Sequence, residues 1–138
     1  MNGASLAQLQ EKFTVIFDWA LEQLKSQSQK IRMEANLLMG NLALYHCNFI
    51  IEQPSRLENL YANFKACMEN SQEHPLIVLN SLITIRNIIV KLAEVGQQGI
   101  LSGCVQEIVT LGCQKATDPN YLDRGLSTMD QVSDIIQY

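Results

Sequence analysis

Apolar residues recur every three or four positions through nearly the whole chain. In the stretch from Ser5 to Lys25 they stand at Leu6, Leu9, Phe13, Ile16, Phe17, Ala20, Leu21 and Leu24. That is the period of an amphipathic helix, and Ser5 fits its N-cap. Polar Ser26 to Gln29 breaks the pattern. A second helix is predicted from Gln29 to His46, with Ile31, Ala35, Leu38, Met39 and Leu42 on its core face. A short helical piece, Asn48 to Gln53, stops at Pro54. Ser55 then caps a helix to about Glu69, striped by Leu57, Leu60, Tyr61, Phe64 and Cys67.

Pro75 suits the first turn of the next helix, which runs to about Ala93. Val95-Gly96 and Gly99 mark a turn. Gly103 opens a helix carrying Val105, Ile108, Val109 and Leu111 and ending near Gly112 to Lys115. Thr117-Asp118-Pro119 is a start signal for a last helix toward Tyr138. The Val- and Ile-rich runs in 76–90 and 105–109 keep the three/four spacing and helical length, so they read as helix and not strand.

The pattern also repeats at long range. Ala35 to Ala43, Ser81 to Ile89 and Gly125 to Ser133 align on a small residue, then Met or Ile, then Asn or Gln, then an aliphatic residue. Asn41, Asn87 and Gln131 share one repeat position, at spacings of 46 (87 − 41) and 44 (131 − 87) residues. The helices before these windows, WALEQLKSQ, ENLYANFKA and VQEIVTLGC, also match. The chain reads as one domain, 1–138, of three units: an incomplete first at about 4–46, then 47–93 and 94–138.

These windows resemble the third helix of the armadillo repeat family, most plainly in Ala35-Asn-Leu-Leu-Met-Gly-Asn-Leu-Ala43. Ile100 to Gly112 is similar to the family's glycine turn and second helix. Ser55 stands where the middle unit would carry that glycine, and Gln131-Val132 replace Asn-Leu in the last window. HEAT-type helical pairs are the fallback. The resemblance implies an all-α, short right-handed armadillo-like α-solenoid of about seven to eight helices. Stacking would then bury faces that no unit can bury alone.

On a third helix, the positions seven before, four before and three after the Asn share its face. The candidate groove therefore comprises Glu34, Leu37, Asn41 and Leu44; Asn80, Ile83, Asn87 and Val90; and Arg124, Ser127, Gln131 and Asp134. These rows differ from the apolar row Ala35, Leu38 and Leu42, which is expected in the stacked core. A side-chain amide offers donors and an acceptor. It can hold a partner's backbone, as the resemblance implies for Asn41 and Asn87, or satisfy backbone groups within the repeat. Importin-like grooves carry Trp four residues before the Asn. Leu37 and Ile83 stand there, which argues against a nuclear-import receptor. The single tryptophan, Trp19, is expected in the core.

Charge and chemistry narrow the picture. Fourteen acids against ten bases give a net charge of −4 with no basic tract, so a nucleic-acid footprint is not expected. The first eleven residues lack a signal-peptide pattern. Arg86 ends the apolar run from Pro75, so no membrane span is expected. Cys47, Cys67, Cys104 and Cys113 form no CxxC pair. His46 and Cys47 diverge by about 100° on a helix. Four reduced thiols, no metal, no cofactor and an intracellular, cytoplasmic or nuclear location are expected. His46 and His74 accompany no catalytic motif, so no catalytic residues are assigned. The leading reading is a non-catalytic module binding a protein or peptide segment. Its rival is structural assembly: Phe13, Phe17 and Trp19 cannot share one core face, so a solenoid end is left to stack on another copy or on further repeats.

Overall fold

The computed structural model describes residues 3–101, 103–119 and 121. Among the described residues six α-helices follow one another: α1 (Gly3–Gln23), α2 (Gln29–Tyr45), α3 (Cys47–Ile51), α4 (Pro54–Glu69), α5 (Pro75–Glu94) and α6 (Val105–Thr117), with a 3₁₀ turn at Gln98–Ile100. No strand occurs among the described residues, so the all-α expectation holds.

The helix ends have local causes. The Ser28 hydroxyl accepts from the Ile31 N–H and starts α2, and the His74 ring does the same for α5 by accepting from the Leu76 N–H at 3.1 Å. Pro54 and Pro75 occupy first helical turns, where a missing N–H leaves no bond unmade. α5 ends at Gly96, whose φ of +73° sets the left-handed turn. The Gln97 N–H then reaches back to the Leu92 carbonyl at 2.7 Å, a Schellman closure.

α2 is the centre of the packing. It lies against α1 on one flank and most extensively against α5 on the other, while α4 packs on both α5 and α6. The α2–α5 seam pairs Asn36 with Ser81, 45 residues apart, and Gly40 with Thr84, at four and three residues further on. Both numbers rise together, so these two helices run parallel. One core collects Phe17, Met39, Ile50, Phe64, Leu82 and Ile88 from five helices. Phe17 meets Phe49 edge-on, and the Arg56 guanidinium sits 3.7 Å above the Phe49 ring while Nη1 donates to the Phe49 carbonyl. That arrangement satisfies an arginine against an aromatic face.

Several expectations are corrected. α1 begins at Gly3, before Ser5, and Pro54 opens α4 instead of only ending the helix before it. α6 runs on to Thr117, with Asp118 as its C-cap, because nothing in Gly112 to Lys115 breaks the helix. Trp19 is 52% exposed, since Phe17, Ala20 and Leu24 take the buried arc of α1. On α2 the buried arc is Ala35, Asn36, Met39, Leu42 and Ala43. Leu38 is half-buried and Ile31 lies at the rim. The segment pairing of Trp19–Gln27 with Glu58–Ala66 is out of register. The N-caps Ser28 and His74 stand 46 residues (74 − 28) apart, and buried Phe17 and Ala20 have their counterparts in Phe64 and Cys67. α5 is long and apolar enough to cross a membrane by length and composition, Arg86 notwithstanding, and half of that stretch is buried here. The predicted last helix lies outside the described residues.

Candidate functional site

Parallel packing of α2 and α5 decides where the sequence-predicted rows fall. At about 100° per residue, Leu44, Leu37, Asn41 and Glu34 lie about 80–160° from Asn36 in one rotational sense. In α5, Asn80, Asn87, Ile83 and Val90 lie about 100–180° from Ser81 in the opposite sense. For two parallel helices that face each other, these opposite rotations lead to the same side of the seam. The other side carries Met39, Leu42, Ile85 and Ile89 into the core.

Exposure follows this geometry. Glu34 and Asn41 are exposed, as are the apolar Leu37 (51%) and Leu44 (54%). Asn80, Ile83, Asn87 and Val90 are half-buried. The Asn87 Oδ1 accepts from Arg86 Nη2 at 2.9 Å, and the Asn80 carbonyl accepts from the Thr84 hydroxyl. Arg124, Ser127, Gln131 and Asp134 lie outside the described residues. At the C-terminal end of α2 the surface opens into a cleft of about 270 Å³ bounded by Phe13, Leu44, Tyr45, His46, Phe49 and Lys91. Tyr45 is 72% exposed.

The two histidines have structural tasks: His46 packs on the Phe13 ring at 4.5 Å, and His74 caps α5. All four cysteines are free thiols. Burial pushes the Cys47 thiol up to about 11 and raises that of Cys67, so both stay protonated at neutral pH and poorly nucleophilic. No cluster of three or more metal-ligating side chains occurs among the described residues.

A second polar assembly was not anticipated. Arg32 Nε and Nη2 donate to the two Glu73 carboxylate oxygens at 3.0 Å, and Nη1 donates to the Ser26 carbonyl. The opposite flank of the 70–74 loop is held by Lys115 Nζ, which donates to the Asn70 carbonyl at 2.7 Å, and by the Tyr121 hydroxyl, which donates to the Glu73 carbonyl at 2.6 Å. Lys115 also sits 4.0 Å from the Tyr121 ring centroid, and burial lowers its pKa. Beside this loop lies a cleft of about 320 Å³ reaching from Lys25 and Arg32 past Asn36, Asn63 and Cys67 to Ser81. The available signal was Asn36 itself, a polar residue on the arc of Ala35, Met39 and Ala43.

No protein-family model, curated protein or solved structure matches the chain.

Proposed function

We propose that this chain is a non-catalytic protein-interaction module with an armadillo-like, right-handed solenoid arrangement. It holds a segment of a partner protein along the surface formed by Glu34, Leu37, Asn41 and Leu44 of α2 and Asn80, Ile83, Asn87 and Val90 of α5. One observation carries the reading: the parallel helices α2 and α5 leave a mixed apolar and amide surface on one side of their seam. Leu37 and Leu44 offer apolar area, and the exposed Asn41 amide offers a donor and an acceptor to a peptide group. Partners are proteins or peptides, neither nucleic acid nor membrane, and the setting is intracellular. Leu37 and Ile83 at the positions of importin tryptophans set the module apart from nuclear-import receptors.

The second reading is assembly through an end of the stack, by homo-oligomerisation or within a longer solenoid. Val15 (66% exposed) and Trp19 favour it, because they give α1 an apolar outer face.

Peptides selected from a random display library on the wild-type chain provide the test. Asn41→Ala/Asn87→Ala should weaken their binding about tenfold while the melting temperature stays nearly unchanged. Unchanged affinity in the double variant sinks the groove, and a collapsed melting temperature assigns the amides to the fold itself. Mass in solution that rises with concentration, and is abolished by Trp19→Lys, supports assembly.

A further inference from the structure

Asn36 is 96% buried by its 4% residual exposure, and its Oδ1 has no hydrogen-bond partner. Its Nδ2 donates one hydrogen to Ser81 Oγ at 3.0 Å, and Ser81 Oγ donates in turn to Cys67 Sγ at 3.6 Å. An unmatched acceptor in such a place is costly; Asn36 lines an open cleft, while Oδ1 itself is closed to solvent in this rotamer.

We propose that this cleft, between the α1–α2 turn and α4, binds a neutral primary carboxamide, paired head to head with the Asn36 amide. The ligand N–H donates to Asn36 Oδ1, and the ligand carbonyl accepts the Nδ2 hydrogen that Ser81 leaves unused. Rotation about the Asn χ2 bond has a broad profile, and a carboxamide matches the amide in either orientation.

The surroundings select against other groups. Arg32 and Glu73 neutralise each other by their two-point contact, so Lys25 leaves the cleft lining with one net positive charge, which disfavours an ammonium in place of the carboxamide. A carboxylate has no hydrogen to give Oδ1. Leu24, Ala66 and Ile77 supply apolar walls for the ligand's carbon chain, and Lys25 at the mouth suits an anionic far end. The cleft volume of about 320 Å³ is about ten times the share of one water and reaches the lower range of small-ligand pockets. It shares no lining residue with the Leu37–Asn41 surface, so it stands or falls independently of the proposed peptide groove.

L-glutamine is the probe, L-glutamate the matched control, and N-acetylglutamine methylamide the peptide-like form. Backbone amide NMR shifts are followed as each is titrated into the wild-type chain and into Asn36→Leu, an apolar replacement of similar shape. Glutamine should give saturable shifts at Arg32–Asn36 and Ala66–Asn70. Affinity should fall about tenfold or more for glutamate and for the Asn36→Leu variant. Binding of the blocked form as tight as that of glutamine assigns the site to a partner's Asn or Gln side chain; tighter binding of free glutamine assigns it to a small molecule. Absence of saturable shifts through the millimolar range, or equal binding of glutamine and glutamate, overturns the proposal. Should the Asn36→Leu chain fail to fold, the comparison of glutamine with glutamate on wild type decides alone.

Discussion

Replacing Arg32 by leucine tests the strap between α2 and the 70–74 loop. Arg32 and Glu73 are 41 residues apart in sequence and make two bonds of 3.0 Å. Their surroundings differ: the Glu73 side chain is 6% exposed and that of Arg32 is 20% exposed. Arg32→Leu strands a buried carboxylate whose remaining described donor is the His74 N–H at 2.9 Å. Breaking a buried pair in this way costs about 3–5 kcal/mol. Glu73→Leu strands a guanidinium that keeps its bond to Ser26 and can turn into the adjoining cleft, at about 1–2 kcal/mol. The double variant removes both charges, so it should be more stable than Arg32→Leu alone, with a coupling of about 2–3 kcal/mol. The hydrogen bond to Glu73 raises the Arg32 pKa further above its ordinary value, so arginine stays charged throughout. Urea unfolding followed by circular dichroism at neutral pH measures all four corners of the cycle. Equal losses from the two single variants, or a double variant that equals their sum, would refute the asymmetry argued from burial.

Two further outcomes follow from burial. Met39 is 2% exposed and Leu38 only half-buried, so Met39→Asp should leave no folded population, its cost rivalling a typical domain's 5–15 kcal/mol. Leu38→Asp should keep its helical signal at a lower melting temperature, and the reverse order in far-ultraviolet dichroism would contradict the α2 orientation. The Cys47 thiol is raised from 9.0 to about 11 by burial, so its contribution to stability is full below pH 9 and is lost as pH rises through about 11. That contribution is about 3 kcal/mol; Cys47→Ala should lack this part of the alkaline decline, and parallel pH–stability curves for the two proteins would discount it.

Helix order was legible because it is local. The three/four spacing placed α1, α2, α4, α5 and α6 to within a few residues, and Pro75 and Gly96 marked their boundaries through backbone chemistry alone. The rows around Asn41 and Asn87 were legible as faces, because helical periodicity fixes which residues share a side. Their exposure was not, since it depends on which neighbour lies where. The match through WALEQLKSQ went astray for a related reason: similar residues on amphipathic helices align in several registers, and only burial separates them.

The sequence by itself determined the helical character of the described residues and the amphipathic face of their helices to within one neighbouring row. These follow from backbone propensity and periodicity, which act over one or two turns. Tertiary packing decided the rest. It rotated the buried arc of α2 onto Asn36 instead of Leu38, left Trp19 in solvent, and set Arg32 against Glu73 and Lys115 against Asn70. Those pairings join residues more than forty positions apart. Their energies depend on desolvation and approach distance, which are properties of the assembled core and of no single helix.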